Sequence, residues 1–407
     1  MDPNKTLRHA CITGDLPLLQ SLSELPLNLS MPFWWTCHHG HLSTAQWIYN
    51  HYPIDLTLIA FEGYSVLEEV CFQGHLSLVQ WLYPLCKTSC IHHALYGRRS
   101  AIVQWLLENG HPHDIEYDRN TSLHIACKMN SLPCVQLLCQ HRAPLETVNR
   151  EGETPFLSAC LLGHLPICRY LYLQGTNPHA ITICRENAIL LACKSGNLAL
   201  VQWLHSIHVN LHNHDMCGQS ALFYAQGHTS LIPWLCQHLP VDQKSNHGMT
   251  PLLHACRDGH LASALCLYHH HASISIKDKF HHSALYYAIR GNHIPIVKWL
   301  CSFGVPCDEY LLSTTNAECL ELLFLHGGLN YNTPFIDTFK RTFKWRREIR
   351  SRLKKHYFQR FLCLSQRILD IDDLLNHLPL CEDLFRTIGD YVGILRDSPW
   401  KQILSVK

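Results

Sequence analysis

The chain has 407 residues, 47% hydrophobic and 16% charged, with 20 Gly and 20 Pro. That content suffices for a large core or a series of small ones and excludes a low-complexity or compositionally disordered chain. A net charge of +1 excludes a globally basic nucleic-acid binder and leaves 21 Cys and 32 His as the unusual features.

The opening MDPNKTLRHACITGDL is polar and has no apolar signal core, and no run approaches the roughly 20 apolar residues of a membrane span. The expectation is a cytoplasmic protein with reduced thiols, not a disulfide framework.

Four related segments come first in chain order: TLRHACITGDLPLL (6–19), WWTCHHGHLSTAQWI (34–48), LEEVCFQGHLSLVQWL (67–82) and HHALYGRRSAIVQWL (92–106). Stronger copies follow in TPFLSACLLGHLPICRYL (154–171), NAILLACKSGNLALVQWL (187–204) and TPLLHACRDGHLASALCL (250–267). Their shared Ala falls at Ala126, Ala159, Ala192, Ala225, Ala255 and Ala288, at intervals of 33, 33, 33, 30 and 33 residues. YLLSTTNAECLELLFLHGG (310–328) keeps the helical spacing without the Ala or the Gly. About eleven copies therefore span residues 5–329. Intervals of 24–26 residues upstream predict helix pairs that have lost their connecting hairpin.

Each copy predicts two helices. Small residues at the Ala-Cys pair let the first helix approach its neighbour's backbone, and a Gly supplies the positive φ that ends it. Pro17, Pro133, Pro166 and Pro295 sit seven residues after the Ala position, in the first turn of the second helix, where a missing N–H costs nothing. Leu198, Val201 and Leu204 give that helix one buried face.

This unit resembles the ankyrin repeat, through Thr154–Phe156, Thr250–Ala255, Ser122–Ala126 and the Gly-His-Leu turns at Gly40, Gly74, Gly163 and Gly259. The resemblance covers about four fifths of the chain. It implies an all-α solenoid of about ten to eleven helix-turn-helix repeats with short hairpin tips over residues 5–329. It further implies a non-enzymatic monomer that binds a partner protein through a concave surface, without cofactor or nucleic acid. The repeat style is also similar to ankyrin proteins of giant viruses, protists and intracellular bacteria whose effectors act in the host cytosol.

The pattern absorbs most Cys and many His. Cys11, Cys37, Cys71, Cys127, Cys160, Cys193 and Cys256 share one position, read as small buried residues whose thiol pKa is raised. His41, His75, His164, His260 and His293 share the position after the turn, where the resemblance implies hydrogen bonds tying neighbouring turns together. Trp47, Trp81, Trp105, Trp203 and Trp299 recur in the second helix as packing residues. Left over are His205, His208, His212, His214 and Cys217, and then His269, His270, His271, His281 and His282. No Cys-x-x-Cys and no fixed ligand spacing supports a metal there, so these loops (205–217, 269–282) are expected to be solvated.

Gly-rich phosphate loops, Gly-x-Ser-x-Gly and His-Glu-x-x-His are all absent, so no catalytic residue is assigned. The resemblance places partner contacts at the hairpin tips and on the exposed side of the first helices. Tip candidates are Asp118, Arg119, Arg150, Glu151, Asp215, Lys244, His247, Lys277 and Lys279. Helix candidates following the Ala-Cys pair are Lys128, Lys194, Ser195, Arg257 and Asp258.

After Gly328 the charge changes: residues 1–332 carry 18 Lys/Arg against 23 Asp/Glu, whereas residues 333–407 carry 15 against 9. A basic amphipathic helix is expected over about 335–362, capping the last repeat, with contact to an anionic membrane as the alternative. Two short helices are expected over about 370–395. Leu378-Pro379, Leu384, Ile388 and Tyr391 there are similar to the F-box-like tails of ubiquitin-ligase adaptors, although Glu382 and Leu384 lie farther from the Leu-Pro than that pattern requires. A substrate-recruiting adaptor is thus one alternative function, and an effector with an unrecognised activity is another.

Overall fold

A computed structural model of the protein describes residues 3–22, 29–56, 60–61, 63–86, 88, 90–112, 119–303 and 319. The chain divides into two compact units, residues 1–300 and 301–407. The expected eleventh copy (310–328), the basic helix (about 335–362), the two short helices (about 370–395) and Asp118 lie outside the described residues.

Among the described residues the chain forms ten consecutive helix pairs. The first four are α1 (Pro3–Thr13) with α2 (Leu16–Ser21), α3 (Ser30–His38) with α4 (Leu42–His51), α5 (Val66–Gln73) with α6 (Leu76–Cys86), and α7 (Ile91–Tyr96) with α8 (Ser100–Glu108). Then come α9 (Ser122–Lys128) with α10 (Leu132–Gln140), α11 (Pro155–Leu161) with α12 (Leu165–Leu173), and α13 (Ala188–Ser195) with α14 (Leu198–Ser206). The last three are α15 (Ala221–Tyr224) with α16 (Ile232–His238), α17 (Pro251–Asp258) with α18 (Leu261–His269), and α19 (Ala284–Arg290) with α20 (Ile294–Cys301). One antiparallel pair of strands, β1 (Ala60–Phe61) and β2 (Tyr64–Ser65), leads into α5 in the register Ala60 with Ser65 and Phe61 with Tyr64.

Side chains that the sequence places at the helix starts close them. Thr154 and Thr250 each accept from the amide three residues on, at 3.3 Å, and Asn187 does the same at 3.0 Å. Ser65 and Glu68 form a reciprocal capping box on α5. Each such cap contributes about 1 kcal/mol. Pro155 and Pro251 follow in the first helical turn.

The core runs along the first helices. All six repeat-phase alanines, from Ala126 to Ala288, are completely buried. So are the adjoining Cys127, Cys160, Cys193 and Cys256, and burial pushes the Cys256 thiol up to about 12 and the others upward as well. These thiols are packing atoms without thiolate character at neutral pH.

Two ladders join the repeats. In the turns, His41 Nε2 donates to the Ile12 carbonyl at 2.8 Å, His75 to His38 at 2.9 Å, His228 to Lys194 at 3.0 Å and His293 to Arg257 at 2.9 Å. Arg99 takes the histidine's place toward Phe72, and Asn197 toward Gly163. Glycine is required beneath the ring: at Gly259 (φ +84°) a Cβ would lie 2.6 Å from His293 Cε1. In the second helices, a tyrosine of one repeat meets a tryptophan of the next edge-on, with ring centres 5.5 to 5.8 Å apart for Tyr49–Trp81, Tyr83–Trp105, Tyr172–Trp203 and Tyr268–Trp299. His205 occupies the tyrosine position against Trp234 at 5.5 Å. One of the leftover histidines therefore packs in this ladder.

Candidate partner-binding face

From residue 149 onward the hairpin tips are joined by main-chain hydrogen bonds running from repeat to repeat. Ile183 N donates to Glu151 O (3.1 Å), Met216 N to Cys184 O (2.9 Å), Asn246 N to Cys217 O (2.8 Å) and Lys279 N to His247 O (3.1 Å). Inside each tip, a polar side chain ten residues before the Ala accepts from the loop's own amides. Asn149 accepts from Glu151 and Glu153, Asp215 from Cys217 and Gln219, and Asp278 from Phe280 and His282. The tips are thus fixed from within and tied to each other.

The residue seven before the Ala takes the left-handed conformation. Gly152, Gly218 and Gly248 fill three of these positions, but Arg119 (φ 59°), Arg185 (φ 63°) and His281 (φ 62°) fill the others. Such a side chain there costs on the order of 1 kcal/mol relative to glycine.

Behind the tips stands a row of first-helix side chains. Lys194 Nζ donates to Glu186 Oε1 at 2.7 Å and lies 4.9 Å from the Tyr224 ring centre. The Tyr224 hydroxyl stands 2.8 Å from both Glu186 Oε1 and Asp215 Oδ2. Burial, then these two carboxylates, hold that hydroxyl firmly protonated. Lys128 repeats the geometry by donating to Asn120, and Arg257 reaches Asp258 and His254, each at 2.8 Å. Two repeats beyond Tyr224, Tyr287 donates to Asp278 Oδ2 at 2.6 Å, and His282 stacks on Tyr286 with centres 3.9 Å apart.

The proposed contact residues fall into two groups. Arg119, Arg150, Glu151, Lys244, His247, Lys277 and Lys279 are exposed on the tips, and Lys194, Arg257 and Asp258 are exposed on the helix row, with Lys128 half-buried. Ser195 and Asp215 are committed to the fold, Ser195 through its donation to Ala192 O at 2.7 Å. Sequence reasoning missed Glu186, Tyr224, Tyr287 and Arg185. A tyrosine immediately before the Ala in two repeats was the available signal.

The remaining histidines are dispersed. His212 and His271 are exposed, His208 and His271 adopt positive φ, and His214 meets the Gln243 amide. Among the described residues no three His, Cys, Asp or Glu side chains are arranged to hold a metal ion, and no helix is long and apolar enough to cross a membrane.

Stacked helix pairs with bonded hairpin tips define a repeat scaffold built to present one long surface. The family is shown by comparison: a model for ankyrin repeats in three copies matches residues 91–182 and 189–278, and a model for the single ankyrin repeat matches residues 280–309. The chain belongs to the ankyrin-repeat family, and ankyrin repeats are protein–protein interaction modules. Among solved structures it is similar to the human ASB11 ankyrin repeat domain, at 22% identity over 49% of this chain and 92% of that one, with a TM-score of 0.44.

Proposed function

We propose that the protein is a non-enzymatic binding module and that the hairpin tips and first helices between residues 119 and 290 hold its partner protein. The tip ladder carries this reading. Five successive repeats are locked edge to edge by four main-chain bonds while Arg150, Arg185, His247 and Lys279 are left exposed on them. A preorganised row of exposed side chains loses little entropy when it binds, which is what a docking surface needs. The adaptor alternative uses the same face for its substrate and adds a ligase-holding surface over 370–395, outside the described residues.

Site-specific photo-crosslinking tests the reading. A photoreactive residue at His247 or Arg185 should capture the partner, whereas one at Leu173, at the end of α12 and 79% exposed, should not. Adducts from Leu173 alone would overturn it.

A further inference from the structure

The charge on this face is uneven in a way that names the partner's chemistry. Residues 1–118 carry 5 Lys/Arg against 11 Asp/Glu, whereas residues 119–300 carry 13 against 8. Ten of those 13 cations lie on the tip and first-helix side. Arg119, Arg150, Arg185, Lys244, Lys277 and Lys279 form a row on the tips, and Lys128, Lys194, Arg257 and Arg290 form a second row behind them; all but Lys128 are exposed.

Four of the six carboxylates on the same side, Glu153, Glu186, Asp215 and Asp278, are drawn inward. Glu153 is buried and takes bonds from Asn149 Nδ2 (2.9 Å) and Ser158 Oγ (2.8 Å). Asp215 and Asp278 each accept two loop amides and meet a tyrosine hydroxyl, and Glu186 faces Tyr224 and Lys194. Asp258 lies against Arg257. Glu151 is the one carboxylate of the described tips that stays exposed. Lys194 and Arg257 are thus spent on Glu186 and Asp258, loop amides and hydroxyls screen the other inward acids, and the remaining bases leave the face electropositive toward a ligand.

Spacing narrows the class of ligand. Neighbouring helices pack about 8–10 Å apart, and three residues of extended chain span about 10 Å, so a peptide laid across the tips passes one repeat about every third residue. Arg150, Arg185, Lys244 and Lys279 stand on four of the five joined tips, and the tip at 215–219 carries no Lys or Arg. Ile183, Met216 and Phe280 stand exposed between the charges, at 66%, 60% and 65%, and offer apolar contact to the intervening side chains. A nucleic-acid strand would want uncommitted aromatic platforms, whereas Tyr224 and Tyr287 are tied to carboxylates and Tyr286 is covered by His282.

We infer that the partner presents an extended acidic segment, with Asp or Glu about three or six residues apart and apolar residues between, laid along the tips from Arg119 to Lys279. This rests on the tip and first-helix face being the docking surface.

The test is selection of a random 16-residue displayed peptide library on the full-length protein. Oligouridine of 12 nucleotides and phosphatidylserine vesicles are titrated in parallel. Selected peptides should carry acids at spacings of about three or six residues and bind more weakly as salt rises. They should lose about tenfold or more in affinity when Lys244→Glu and Lys279→Glu are combined, and nothing with Arg169→Glu on α12. Enrichment of neutral or basic peptides that the double variant releases would overturn the acidic segment yet leave the docking face standing. Equal loss with Arg169→Glu would overturn both. Tighter binding of oligouridine or vesicles than of acidic peptides, or no enrichment at all, would overturn the inference.

Discussion

Tyr287 donates its hydroxyl to Asp278 Oδ2 over 2.6 Å, and so ties the first helix of its repeat to the hairpin that precedes it. Asp278 is buried, and its other oxygen already accepts the Phe280 and His282 amides. Burial pushes this carboxyl up, but Tyr287, His282 and Phe280 together outweigh it and hold the group below the usual range. Tyr287→Phe removes the only side-chain hydroxyl in that set. The expected cost is about 1–2 kcal/mol in urea unfolding, with faster amide exchange confined to residues 278–283.

Arg185 should behave in the opposite way. Its φ of 63° is one that glycine adopts freely, so Arg185→Gly should raise stability by about 1 kcal/mol. The same change removes a tip cation and should weaken the partner. Stability and affinity moving in opposite directions would separate a binding residue from a structural one, and thermal unfolding with a binding titration reads both.

Gly259→Ala should be costly for two reasons that act together. The residue sits at φ +84°, and the added methyl would press on the His293 ring whose Nε2 donates to Arg257 O. About 2 kcal/mol or more is expected, read as a lower urea midpoint. Gly175→Ala is the control, because no atom lies within 4 Å of its added carbon and only the strain of φ +92° remains.

Acid should weaken the fold in two steps. Burial depresses His254 to about 4, and it also lowers His93 and His111. Between about pH 6.5 and pH 4 the unfolded chain takes a proton at residue 254 that the folded chain refuses. Unfolding free energy therefore falls as pH drops through that window, by about 3 kcal/mol at most for His254. Asp258 and Asp278 have depressed values instead. Their contribution is whole above pH 3.8 and is lost below it. Urea midpoints taken at pH 7, 5 and 3.5 check both steps, and His254→Gln should flatten the first.

Repetition carried most of the fold. Alanine, cysteine, glycine, proline and tryptophan recur at set offsets because each is demanded by a contact that every repeat makes, so ten helix pairs could be read from one pattern. His228 escaped because its repeat is three residues short, although its ring makes the same bond to Lys194 O as its counterparts. His205 looked surplus because its partner Trp234 belongs to that same shortened repeat. The candidate face was harder. Exposure of a lysine or arginine follows from its place in the repeat, but whether an acid is screened depends on partners that lie elsewhere in the chain. Glu186 meets Tyr224 38 residues away, and no local pattern around either residue announces the pair.

Hydrogen–deuterium exchange on the full chain, alone and with its partner bound, locates the docking face. Binding at the tips should slow exchange in residues 149–153, 183–186, 215–219, 245–248 and 278–282, with the amides of α10, α12 and α14 unchanged. Protection confined to those second helices, with the tips unaffected, would contradict it.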